Sequence, residues 1–369
     1  MKALVELAAC RTAALGGHVR ACEDCGRREV SYNSCRNRHC PKCGSAARAA
    51  WLEARQAELL PVPYFHLVFT LPHELAALAL SNRALLYDLL FRAATQTLCE
   101  IAADKRHLGA KIGGLLVLHT WGQNLEHHPH LHGVIPGGGL SLDGQHWVAS
   151  PANFFLPVKV LSRLFRGKFL AELRALWQRG ELKLPGQLAP LATPQEWQRF
   201  QRGLAQREWV VYAKPPFGGP EQVLKYLARY THRVAISNQR LLRHQDGQVT
   251  FSWKHYAAGG RRQPMTLSGV EFLRRFLQHV LPKGFVRIRQ FGLWSNGQRA
   301  RQLARCRALL AVTPSVEEPT PTPESMTNDD PEDPPRCPHC GRGNWLIVQQ
   351  VSRPCFPRLL GKTTLFDSS

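Results

Sequence analysis

Apolar residues recur with a strand period in short runs and with a helical period between them. Phe65 to Leu71 (Phe-His-Leu-Val-Phe-Thr-Leu) is rich in β-formers and reads as a buried strand. Residues 115–121 and 130–136 read as strand, tight turn and strand. Glu208 to Lys214 returns to strand character, and 234–242 and 248–254 pair across the turn signal Asp246-Gly247. Helical periodicity covers 46–60, stopped by Pro61-Val62-Pro63, then 73–80 and 82–103, with Leu85, Leu89 and Ala93 on one face. It returns over 161–179 and over 194–206, where Thr193-Pro194-Gln195-Glu196 has the form of a capping box. Two more helices are expected, one from Pro220 to Tyr230 and one capped by Ser268 and running to about Val280. The pattern predicts an α+β chain, with hairpin-paired strands, flanking helices and an all-helical insertion over 161–206.

Chemistry enters at His127-His128-Pro129-His130-Leu131-His132, which holds four of the sixteen histidines. Strand side chains alternate faces, so His130 and His132 point one way and Leu131 into the core. Two imidazoles on one face of a strand hold a divalent metal. A hairpin would bring a third ligand from the preceding strand, and Gln123 or Glu126 is placed to supply it. Gly137-Gly138-Gly139, just after the second strand, frees the backbone for a close turn.

The eleven cysteines change the picture at both ends of the chain. Without an export signal they argue for metal rather than disulfides. Cys22-x2-Cys25 and Cys40-x2-Cys43 fit one tetrahedral zinc with four thiolates. His18, Cys35 and His39 are possible further ligands, and so small a module needs its metal to fold. Cys337-Pro338-His339-Cys340 is half a knuckle, with Cys355 a candidate third ligand. Residues 312–335 hold seven prolines and seven acidic residues and read as a disordered linker. The expected organisation is therefore a zinc-binding, DNA-binding domain over 1–46, a catalytic domain over 47–311, that linker, and a tail over 336–369.

Net charge is +21, and without the acidic linker it rises to +28. Such a field points to a polyanionic partner, above all nucleic acid. Arg36 and Arg38 crowd the cysteine module. No run of apolar residues is long enough to span a membrane, and a cytoplasmic, nucleoid-associated protein is expected.

One helix carries the other half of the chemistry. Tyr226 and Tyr230 lie four apart, so they stack on one side, with Lys225 and Arg229 on the basic side and Arg233 beyond. Mg²⁺ or Mn²⁺ on the histidines would polarise a DNA phosphate and make a tyrosine hydroxyl a usable nucleophile.

Three blocks together resemble the rolling-circle transposases of the two-tyrosine, His-hydrophobe-His class, in particular the bacterial insertion-sequence family numbered ninety-one. They are Ser34 to Cys43 (Ser-Cys-Arg-Asn-Arg-His-Cys-Pro-Lys-Cys), His128 to His132, and Tyr226 to Asn238 (Tyr-Leu-Ala-Arg-Tyr-Thr-His-Arg-Val-Ala-Ile-Ser-Asn). The resemblance covers nearly all of 10–311. It implies an antiparallel-sheet nuclease domain behind a zinc ribbon, and single-strand cleavage and strand transfer at transposon ends. His130 and His132 match the family's metal ligands, and Tyr226 and Tyr230 its nucleophiles. The third ligand is not settled by the family pattern, and Gln123 is favoured over Glu126 and His128. The chain has a shorter lead before His18 than the family and no Gly-x4-Gly-Lys-Ser/Thr motif, so unwinding is expected from host replication or helicase machinery. A plasmid replication initiator or relaxase of the same chemistry, and an inactive DNA-binding relic, are the rival readings.

Overall fold

The computed structural model describes residues 2–40, 42–43, 45–151, 153–214, 235–255, 259–311, 337–342 and 344–353. The chain divides into two compact units, Met1–Gly44 together with Ser325–Ser369, and Ser45–Glu324. In chain order the elements are α1 (Lys2–Ala8), β1 (Gly17–Cys22), β2 (Arg28–Tyr32), α2 (Ser45–Gln56), β3 (Tyr64–Thr70), α3 (Ala76–Ser81), α4 (Arg83–Ala103), β4 (Ala110–Lys111) and β5 (Gly113–Trp121). There follow β6 (His127–Pro136), β7 (Gly138–Ser141), β8 (Trp147–Ala149), α5 (Val158–Gln178), α6 (Pro194–Gln206) and β9 (Val211–Lys214). The last are β10 (Leu241–Gln245), β11 (Gln248–His255), β12 (Arg261–Ser268), α7 (Gly269–Gln278), β13 (Ile288–Gly292), α8 (Arg299–Ala311) and β14 (Trp345–Val351).

The larger unit is built on a five-stranded antiparallel sheet in the order β13-β5-β6-β3-β9. Register sorts its side chains into two faces, because directly paired residues share a face. One face carries Leu67 and Phe69 of β3, Leu116 and Leu118 of β5, and Leu131 and Ile135 of β6. These join Leu86 and Leu90 of α4 and Phe165 and Phe169 of α5 in the main core. Phe69 meets Phe165 edge-on, with ring centres 5.1 Å apart. The other face carries His66, Val68 and Thr70 opposite Val134, His132 and His130. At its Val134 end lies a second core with Tyr64, Leu60, Trp294 and Leu303, which Trp51 and Leu52 of α2 pack against.

The helices of the insertion lie where the pattern expects them, but the capping box does not form. The Thr193 hydroxyl donates to the Pro190 carbonyl at 3.0 Å instead of capping α6. Ser268 does cap α7, accepting from the Glu271 amide at 3.2 Å. The strand expected over 234–242 is displaced to Leu241–Gln245, following a short 3₁₀ turn over Asn238–Arg240. Residue 234 lies outside the described residues. The three glycines serve close approach as well as turning. A Cβ on Gly139 would sit 2.3 Å from the Lys111 carbonyl, so only glycine lets β7 lie against β4.

The smaller unit brings together stretches from both ends of the described chain. Its sheet runs β14-β1-β2, and β14 pairs antiparallel with β1 from Gly17↔Val351 to Cys22↔Trp345. The stretch expected as a separate tail thus supplies an edge strand to the N-terminal module. β14 is short and lies beyond the acidic stretch, so sequence periodicity alone does not reveal its partner. Among the described residues no helix is long and apolar enough to cross a membrane.

Candidate metal centre and cysteine clusters

The β5–β6 hairpin assembles the histidine site. His119 of β5 stands directly opposite His130 of β6, and Val117 opposite His132. Cross-strand partners share a face, so His119, His130 and His132 all project away from the main core. Their ring centres lie 4.2 Å (His119–His132), 4.9 Å (His130–His132) and 5.4 Å (His119–His130) apart. One nitrogen from each ring falls within 4.8 Å of the others.

The third histidine of this group is His119, on β5. Gln123 falls in the turn, where Gly122 donates to Glu126 O and Leu125 to Gly122 O, beyond the last paired residues. The Gln123 carbonyl accepts from Arg240 Nη2 at 2.5 Å. Glu126 is exposed and lies 4.0 Å from Arg275. His128 offers its carbonyl to His130 Nδ1 at 2.7 Å. The signal for His119 was present in the sequence, in a histidine at strand parity just after the apolar run. Using it required the hairpin register, which shifts between His119 and Trp121.

The turn is gripped from outside. The carbonyls of Gln123, Asn124 and Leu125 accept from Arg240, Arg275 and His279 at 2.5, 3.0 and 3.0 Å. Leu125 is buried and held at φ +64°, a left-handed conformation costly for a leucine. His127 points to the core face, donating from Nδ1 to Ala76 O at 3.1 Å and accepting from the Tyr87 hydroxyl at 2.7 Å. It is fully used there and joins no metal group.

Burial sets the electrostatics. It holds His119 and His132 well below the ordinary imidazole range, with repulsion among neighbouring rings adding to it. His130 is pushed down to about 4 for the same reasons. All three rings are therefore neutral at neutral pH, the form that ligates metal. His130 Nδ1 must carry its proton to donate to the His128 carbonyl, which leaves the Nε2 lone pair free. His132 Nδ1 is engaged with His66 Nε2 at 2.8 Å.

The cysteines converge in two groups, and the pairs read as one zinc site are divided between them. Cys10, Cys35, Cys40 and Cys43 form one group, and Cys22, Cys25, Cys337 and Cys340 the other. In the first, Cys43 Sγ lies 3.2 Å from Cys10 and 3.6 Å from Cys35. Spacing identifies each Cys-x2-Cys pair but not which pairs share an ion, and Cys10 carries no spacing signal at all. His18 and His39 belong to neither group. His39 is buried against the Asn37 side chain. Cys355 lies outside the described residues.

Residues 1–71 match the family described as "Transposase zinc-binding domain", and residues 113–302 match the one described as "Putative transposase". The chain is 53% identical over 364 residues to "Putative transposase y4qJ" of Sinorhizobium fredii, covering 98% of this chain and 90% of that protein. It is 32% identical over 349 residues to "Transposase for insertion sequence element IS801" of Pseudomonas savastanoi pv. phaseolicola, covering 92% of this chain and 82% of that one. Among solved structures, the relaxase TrwC complexed with a 27-mer DNA covers 45% of this chain and 71% of its own, at 13% identity and a TM-score of 0.23, too low to carry weight. The chain belongs to the IS91-type transposases.

The remaining sequence-predicted residues of this transposase are placed unevenly. Arg36 and Arg38 are exposed, close in sequence to the first cysteine group. Tyr226 and Tyr230, with Lys225, Arg229 and Arg233, lie outside the described residues.

Proposed function

We propose that this transposase cuts and rejoins single-stranded DNA at transposon ends through a 5′-phosphotyrosine intermediate. The observation that carries the reading is the convergence of His119, His130 and His132 on the sheet face turned away from α4 and α5. These three would hold a divalent ion as neutral imidazoles. Imidazole nitrogen is a softer donor than the oxygens Mg²⁺ prefers, and affinity for such donors rises along the divalent transition series that begins at Mn²⁺. Bound there, such an ion would polarise a phosphate oxygen and lower the cost of forming a phenolate nearby.

Tyr226 and Tyr230 supply the nucleophiles. A tyrosine oxygen attacks phosphorus, the bond from phosphorus to the 3′ oxygen breaks, and the 3′ oxygen leaves as a hydroxyl after taking a proton. The phenolic proton passes to solvent. Attack by a 3′-hydroxyl on the phosphotyrosine reverses the step, so rejoining needs no ATP. A second tyrosine permits a second cut while the first is occupied. Arg36, Arg38, Lys225, Arg229 and Arg233 contact phosphates, in keeping with a net charge of +21. Strand separation comes from host machinery, and the site of action is the nucleoid.

Cys10, Cys35, Cys40 and Cys43 hold a structural zinc in the N-terminal module. Thiolates around a tetrahedral zinc sit roughly 3.8 Å apart, from a Zn–S bond of ~2.3 Å. The separations of 3.2 and 3.6 Å are near that and far from a disulfide.

Covalent capture tests the nuclease reading. The transposase is incubated with single-stranded end DNA and Mn²⁺ and run on a denaturing gel, beside Tyr226→Phe, Tyr230→Phe and the double variant. A metal-dependent protein–DNA adduct that disappears in the double variant is the expected result. Cleavage without an adduct would make the protein a metal-dependent hydrolase instead.

A further inference from the structure

We propose a second structural zinc site, formed by Cys22 and Cys25 from the start of the chain and Cys337 and Cys340 from beyond the acidic linker. The family match for the zinc-binding domain ends at residue 71, so two of these four ligands lie outside it. The proposal is independent of the nuclease chemistry.

The two halves are built alike. Cys22-Glu23-Asp24-Cys25-Gly26-Arg27 and Cys337-Pro338-His339-Cys340-Gly341-Arg342 share the pattern Cys-x2-Cys-Gly-Arg. Gly26 and Gly341 both adopt a left-handed backbone, at φ +70° and +69°. Their amides donate to the carbonyls of Cys22 and Cys337 at 3.0 and 2.8 Å. The amides of Cys22 and Cys337 donate in turn to Arg27 O and Arg342 O, at 2.9 and 3.3 Å. Each loop is therefore a tight knuckle that turns two sulfurs to one side, and glycine is what lets it close.

The knuckles face each other. Cys22 Sγ lies 3.7 Å from Cys340 Sγ, and Cys25 Sγ 3.7 Å from Cys337 Sγ. All four sulfurs lie within 4.8 Å of one another. Roughly 3.8 Å is expected between thiolates on a tetrahedral zinc, and about 2.05 Å within a disulfide. The flanking strands fix this approach, since β1 runs into the first knuckle and β14 leaves the second. They pair at Cys22↔Trp345, and the Glu23 amide donates to Asn344 O at 3.1 Å. Four convergent sulfurs with no carboxylate among them select zinc over a hard cation.

Zinc content per full-length chain tests the site. Elemental mass spectrometry is applied to the wild type, to Cys22→Ser/Cys25→Ser, to Cys337→Ser/Cys340→Ser and to the quadruple variant. Each double variant is expected to lose one zinc relative to wild type, and the quadruple variant no more than either. Loss of two in the quadruple variant, or none in the Cys337/Cys340 variant, would overturn the shared site. Alkylation of the unmodified protein guards against variants that fail to fold. Cys25 is exposed, yet its thiol should react slowly until a chelator is added, and then together with Cys337 and Cys340. Equal reactivity before and after chelation, or a native disulfide among the four, would sink the proposal.

Discussion

His66 Nε2 lies 2.8 Å from His132 Nδ1, and the two rings stack within 5° of parallel. His66 sits on β3, opposite Val134, on the face that carries the histidine group. A bond at Nδ1 fixes the His132 ring and leaves Nε2 for an ion. His66→Leu should therefore raise the Mn²⁺ concentration needed for half-maximal adduct formation by roughly 10–100-fold. His66→Asn should recover part of that loss. An unchanged metal requirement in His66→Leu would reduce the residue to packing.

The hairpin register makes a sharper demand. His119→Ala should abolish metal-dependent cleavage, whereas Gln123→Ala and Glu126→Gln should stay near wild type. Adduct yield against Mn²⁺ concentration reads all three. Loss of activity in Gln123→Ala with activity kept in His119→Ala would return the third ligand to the turn.

The grip on the turn should be visible in stability. His279 is buried, donating from Nε2 to Leu125 O and accepting from the Thr120 hydroxyl at 3.2 Å. His279→Leu strands both groups, at a cost of about 1–3 kcal/mol. In a unit of this size each kcal/mol lowers Tm by roughly 2–4 °C. Differential scanning calorimetry of the metal-free protein would measure it, and an unchanged Tm would show that the turn holds itself.

Acid should unfold this protein through its buried histidines. Burial pushes His127 down to about 3 and His279 down to about 4. Their unfolded pKa is near 6.5, so between those limits the unfolded chain binds more protons. Their stabilisation is whole above about pH 6.5 and drains as pH falls, by on the order of 2–3 kcal/mol each at pH 4. Urea midpoints of the metal-free protein should decline steadily below pH 6.5, less steeply in His279→Gln. A flat profile from pH 7 to 4.5 would contradict it.

How much of the fold and the site was legible in the sequence varied with the range of the interaction concerned. Alternation along a single strand was enough to separate His130 and His132 from Leu131. Finding His119 needed the register of a second strand, which a bulge shifts. The division of cysteines needed a partner some three hundred residues away, which no local spacing encodes: Cys25 meets Cys337, not Cys40. Composition was misleading here, because the acidic stretch before Cys337 gave the segment beyond it the look of a tail. The ring of His127 is taken up by the Tyr87 hydroxyl and the Ala76 carbonyl, while the ring of His128 stands 5.3 Å from that of His130, outside the convergent three.

The pairing of β1 with β14 also sets an order of events. A ribosome releases the first strand hundreds of residues before its neighbour exists, and until then one edge of β1 stands open. The N-terminal module can begin to fold early but can be completed only once β14, some three hundred residues further on, has emerged. A messenger cut short, or a copy of the gene with a premature stop, would yield the larger unit attached to an unfinished N-terminal sheet. Closure of the N-terminal sheet therefore waits on synthesis of β14.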